Sequence, residues 1–90
     1  MTKTEKKHLS RVAALGCMLC QLLERGKTPA EIHHPRKGQG MGQRAGHFLA
    51  IPLCPDCHRG PQGVHGDKTY LRIAKVDEYD LLDMTIEALA

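Results

Sequence analysis

The chain reads as a small α+β domain held together by zinc, with a short two-stranded core between helices, and three features lead there. Ninety residues with 41% apolar content, one Phe and no Trp allow a single domain over 1–90 whose core buries surface inefficiently, and such chains usually need a staple. Four cysteines, at positions 17, 20, 54 and 57, form two C-x2-C pairs with 33 residues between Cys20 and Cys54. Segments with helical spacing at both ends enclose two short extended segments separated by a glycine-rich loop. The expected division is an N-terminal helix over about 4–16, a metal-stapled core over about 17–66 and C-terminal helices over about 67–89.

Along the chain, Leu9, Val12, Ala13 and Leu15 recur at near-helical spacing, and Gly16 is a plausible stop just past the helix end. That helix delivers Cys17. Cys17 to Cys20 should form a tight metal-binding knuckle, followed by a short extension to Arg25 and a turn from Gly26 to Pro29. Ala30 to His34 is expected to be extended, since Pro35 biases the residue before it away from helix. Residues 36–47 hold four glycines and three basic residues and are read as a loop. Phe48 to Leu53 reads as a second strand, pairing with the first as a hairpin that brings Cys54 beside Cys20. Pro55 suits the first turn of a helix broken by Gly60, Pro61 and Gly63. Two further helices are expected, about Lys68 to Lys75 with Asp67 as N-cap and about Glu78 to Leu89 with Asp77 as N-cap. No internal repeat is visible.

No apolar run approaches the roughly 18 residues of a membrane span, and the charged opening MTKTEKKHLS lacks the apolar region of a secretory signal. The expected compartment is therefore cytoplasmic. Thiols stay reduced there, so paired C-x2-C motifs point to zinc on Cys17, Cys20, Cys54 and Cys57 rather than to disulfides. A thioredoxin-like use of one pair would need a βαβ pattern around Cys17, which is not seen. Charge is unevenly spread: 13 Lys/Arg against 5 Asp/Glu give +8 over residues 1–75, and the five acids of residues 76–90 give −5. A basic body suits a polyanion such as nucleic acid, although uneven charge is also ordinary on a solvated surface.

Five of the six histidines lie between residues 33 and 65. His33 and His34 sit on the first expected strand, and His58 directly follows Cys57. One tetrahedral ion on the four cysteines would clamp the hairpin to the helix starting near Cys54, making His58 a neighbour of the strand that bears the pair.

The combination of C-x2-C, 12 residues, HH-P and then LCPDCH resembles the HNH endonuclease signature in its four-cysteine form. More closely, AEIHHPRKGQGMGQRAGHF and PLCPDCHRGPQGVHG resemble the Ref-like (recombination enhancement function) nucleases of phages and prophages, over about residues 11–75. The resemblance implies a ββα-metal (His-Me finger) core and a DNA phosphodiesterase. His34 would be its general base, and His33 and His58 would bind a catalytic divalent ion. The middle Asn that orients the base in many members has no counterpart, because the chain contains no Asn; His47 is the substitute to test. Mg²⁺ is the working ion the class implies, while imidazole ligands suit Mn²⁺, Ni²⁺ or Zn²⁺ better. DNA as substrate, a recombinase filament as partner and a bacterial cell hosting the phage or prophage are implied by the same resemblance. Oligomeric state is left open.

Arg36, Lys37 and Arg44 could hold the DNA backbone, with Arg59 behind the metal site, or the basic loop could simply be solvated. His47 and His65 are each open between a partner behind the ligands, a phosphate contact and a loop residue. His8 is expected in solvent, and Tyr70, Tyr79, Leu82, Ile86 and Leu89 are expected to pack. A zinc knuckle that grips nucleic acid without cutting would explain the cysteines and the basic body, but not HH-P and CH at this spacing. A protein-interaction role for the acidic C-terminal helix is compatible with either reading.

Overall fold

The computed structural model describes residues 1–36 and 46–90, and their seven elements begin with a helix, α1 (Lys3–Ala14). A reciprocal cap opens it: Thr2 Oγ1 accepts from the Glu5 N–H, and the Glu5 carboxylate accepts from the Thr2 N–H at 2.8 Å. The helix stops short of the expected residue 16 because the Leu15 and Gly16 N–H groups turn back to Val12 and Ala13, tightening the last turn as the chain enters the core. Next come the single-turn helix α2 (Met18–Leu22), the strands β1 (Glu31–His33) and β2 (Ile51–Leu53), and a second single turn, α3 (Pro55–Arg59). The chain closes with α4 (Thr69–Ala74) and α5 (Glu78–Leu89).

β1 and β2 pair antiparallel, Glu31 opposite Leu53, Ile32 opposite Pro52 and His33 opposite Ile51. Both strands are shorter than the expected 30–34 and 48–53. His34 is followed by Pro35, which has no N–H to offer a ladder, and Phe48 and Leu49 lie in a turn closed by the Leu49 N–H on the Gly46 carbonyl at 3.0 Å. Phe48 is thereby exposed rather than paired. α3 follows β2 at once and packs on both strands, while α1 lies across the hairpin and α2 and α5 press on β2.

The core is the cysteine group itself together with Leu19, Ile51, Leu53 and Leu81, with Val64, Tyr70, Leu71 and Leu82 around it. Such a core is small, and the four cysteines stand at its middle. In α5, Glu78, Leu81, Leu82 and Thr85 form one buried stripe at helical spacing. Tyr79 and Ile86, expected to pack, fall off that stripe and are 46% and 51% exposed. His8, expected in solvent, is half-buried, its ring 5.1 Å from that of Phe48, because α1 lies over the hairpin.

The expected cap of α5 is present: Asp77 and Asp80 accept from each other's backbone N–H at 2.9 Å. For α4 the expectation fails. Lys68 occupies the cap position with φ 64°, and the carboxylate of Asp67 accepts instead from the N–H and hydroxyl of Thr69 at 2.9 and 2.6 Å. Among the described residues, no helix is long and apolar enough to cross a membrane.

Candidate metal centres

Each C-x2-C pair builds the same local device. The first cysteine caps a single helical turn, and its sulfur accepts the N–H of the second: Cys17 Sγ from Cys20 at 3.3 Å, Cys54 Sγ from Cys57 at 3.4 Å. The hairpin brings the two devices face to face. Cys20 Sγ lies 3.6 Å from Cys54 Sγ and 3.7 Å from Cys57 Sγ, against about 3.8 Å for four thiolates at about 2.3 Å around one zinc. All four cysteines are buried and free of disulfides. Hydrogen bonding from Cys57 draws Cys17 down to about 5; the same contact with burial pushes Cys57 far up, and burial pushes Cys20 up. Four thiolates so close need a dication, so this donor set fits a structural metal such as zinc.

A second group of ring nitrogens gathers beside β1. His33, His58 and His65 come from β1, α3 and the loop after α3, with ligand atoms within 4.8 Å of one another. Ring centroids are 5.0 Å apart for His33 and His58, 5.1 Å for His33 and His65, and 4.8 Å for His58 and His65. Carboxylates set two of the tautomers. Glu78 Oε1 lies 2.9 Å from His33 Nε2, and Glu31 Oε1 lies 2.7 Å from His58 Nδ1. A carboxylate can only accept, so those nitrogens carry the hydrogens, leaving the lone pairs of His33 Nδ1 and His58 Nε2 for a cation. His58 Nε2 stands 3.2 Å from His65 Nε2, inside the roughly 3 to 3.4 Å expected of two imidazoles at about 2.1 Å on one ion. Burial, helped by the nearby charge of Arg36, holds His65 below its ordinary value and so favours the neutral, ligating form.

Both carboxylates are themselves fixed. Glu78, 8% exposed, uses Oε2 to accept the Arg36 N–H at 2.7 Å. Glu31 receives Arg59 through a two-pronged contact of 2.7 and 3.0 Å. This guanidinium, ahead of the bond from His58, holds the Glu31 carboxyl down at about 2. Arg59, expected to contact DNA from behind the site, thus has its guanidinium on a carboxylate. Arg36 is exposed at the start of the basic loop, and Lys37 and Arg44 lie outside the described residues.

His33 and His58 are brought together as the sequence suggests. His34, one residue beyond β1, is set against His47 instead, its Nε2 3.1 Å from His47 Nδ1. The histidine left open by sequence, His65, joins the cluster because the segment after α3 folds back on that helix. The Val64 N–H donates to Cys57 and that of His65 to His58, at 2.8 and 3.1 Å. Gly63 makes the approach, since a Cβ there would collide with the carbonyl of Cys57, and Gly66 meets the carbonyl of Pro61 in the same way. The glycines of GPQGVHG were the available signal: they break a helix, but they also permit backbone to lie on backbone. Glu31 and Glu78 gave no sequence signal, as each is one of ten ordinary acids.

A family model described as recombination enhancement, RecA-dependent nuclease matches residues 1–79. No curated protein and no solved structure matches the chain.

Proposed function

The chain belongs to the family of recombination-enhancing, RecA-dependent nucleases, and from that premise we propose that it is a metal-dependent HNH endonuclease of ββα-metal type that hydrolyses DNA phosphodiester bonds. The observation that carries this reading is the convergence of His33, His58 and His65, two of them backed by carboxylates, with His34 next in the chain and paired to His47.

In this reading His33, His58 and His65 hold one divalent cation. When bound, it supplies a Lewis acid for the scissile phosphate and for the leaving 3′ oxygen. His34 takes the proton of the attacking water, a task that neutral imidazole performs near neutral pH. His47 holds the His34 ring in place, the role left vacant by the missing Asn. Glu78 and Glu31 keep the hydrogens of their histidines on the far side from the cation. Arg36, Lys37 and Arg44 contact the DNA backbone. Three imidazoles favour Mn²⁺, Ni²⁺ or Zn²⁺ over Mg²⁺. A recombinase filament on DNA is the partner, and a phage or prophage in a bacterial cell is the setting.

The test is cleavage of plasmid and single-stranded DNA with and without Mg²⁺ or Mn²⁺ and recombinase. His34→Ala should keep metal and DNA binding yet lose about 100-fold or more in rate, the usual worth of a positioned base. His33→Ala, His58→Ala and His65→Ala should weaken the cation instead, with partial recovery at high Mn²⁺. Near-wild-type cutting by His34→Ala would overturn the mechanism, and metal-dependent nicking by the wild type would exclude a binding-only zinc knuckle.

A further inference from the structure

Next to the histidine cluster a cavity of about 790 Å³ opens between Arg36, α4 and the first turn of α5. One wall holds Glu78, the acceptor of His33, so cavity and cluster share a side chain. Four cations line it: Arg36, Lys68, Arg72 and Lys75. Three carboxylates share the wall, Asp77 and Asp80 capping α5 and Glu78 joining His33 to the Arg36 N–H, and the four cations outnumber them by one. Among the described residues, neither Lys68 nor Lys75 is in an ion pair.

The backbone adds an independent observation. Lys68 (φ 64°) and Lys75 (φ 59°) bracket α4 in the left-handed region, where, among the described residues, Glu24 is the only other non-glycine. That conformation costs an ordinary side chain about 1 kcal/mol, and glycine nothing. Lys68 also places a cation at a helix N-terminus, the wrong end for the helix dipole. The left-handed Lys75 is an ordinary helix stop, its N–H on Arg72 and that of Val76 on Leu71, so it is Lys68 whose strain beside the cavity points to a task for its charge. Seven positions apart with α4 between them, their backbones stand about 10 Å from each other, a spacing that lets each lysine meet a different phosphate of one strand.

We propose that this cavity seats the phosphate backbone of the DNA strand beside the cleavage site, with Lys68 and Lys75 as its two charged contacts. The assignment rests on the nuclease reading for what lies next to it, but not for what it binds.

Lys68→Gly/Lys75→Gly removes both charges while giving each left-handed position the residue it favours, so thermal unfolding should be unchanged or slightly raised. DNA binding by the zinc-loaded full chain, without added Mg²⁺ or Mn²⁺, is measured across salt concentrations. The double variant should bind more weakly, with a salt slope about two units shallower than wild type. Lys3→Ala/Lys7→Ala, with equal charge loss on exposed sites of α1 outside the cavity, should change the slope by less than one. Equal slopes for the cavity variant and wild type, or equal losses in the two double variants, would overturn the proposal. Wild-type cutting is assayed alongside. Cutting with an unchanged cavity slope sinks the cavity alone; a lowered slope without cutting sinks the nuclease reading and leaves the cavity as a nucleic-acid site.

Discussion

The cysteine group and the histidine group are both metal-competent, yet they are built by opposite means. The cysteines come from two copies of one local device, each closed within four residues by its own N–H to sulfur bond, and all four are buried. The histidines come from a strand, a helix and a loop, and their exposure rises from His33, buried, through His58, half-buried, to His65, exposed. One donor set is closed with four thiolates, as a structural centre requires. The other has an exposed member, His65, and is accessible from that side. The four-cysteine group is encoded locally, whereas the histidine group is assembled only by the fold.

The largest effect should follow from breaking the closed centre. Cys54→Ser, or stripping the metal with a strong chelator, should abolish cooperative unfolding, because zinc affinity in so small a core is folding free energy, on the order of 10 kcal/mol. Calorimetry with metal analysis checks this, and a metal-free protein that melts normally would erase the contrast between the two groups. Removing a histidine of the open group should leave the fold and its four-cysteine metal intact.

A smaller effect should come from behind the open centre. Glu78→Gln keeps the shape but replaces the carboxylate that orients His33, and loss of such a partner typically weakens metal affinity by about 10- to 100-fold. Titration with Mn²⁺, monitored by calorimetry, should show that loss with little change in melting temperature. An unaltered affinity would mean that packing alone orients His33.

The smallest effect concerns acid. The Glu31 carboxyl is held at about 2 against an ordinary 4.5, chiefly by Arg59 and then by His58. Because the folded value is depressed, its contribution is fully present above about 4.5 and is lost as pH falls from there toward about 2. Glu31→Gln should flatten the acid-unfolding curve within that window and lower neutral stability by the same small amount, as Arg59 is exposed and surface pairs contribute little. A wild-type slope in the variant would assign acid sensitivity to other carboxylates.

What the sequence determined alone follows from how far each interaction reaches. The C-x2-C knuckles, the Asp77 cap and the adjacency of His58 to Cys57 depend on neighbours within about four residues, so spacing suffices to read them. The partial reading of α5 has the same origin. Periodicity marks a helix, but only the body it lands on decides which stripe is buried, which is why Leu82 is buried and Tyr79 and Ile86 are exposed. Asp67 failed as a cap because its carboxylate closes its own turn onto Thr69, one of two local geometries open to the same residue. The partners of the histidines were beyond sequence: Glu78 lies 45 residues from His33 and Glu31 lies 27 from His58. His65 reaches the cluster only because Gly63 lets its loop lie against α3. Ligand type is local chemistry and legible in the chain. Which carboxylate fixes a ring, and which loop brings the third imidazole, is a matter of long-range packing, which the tertiary structure alone decides.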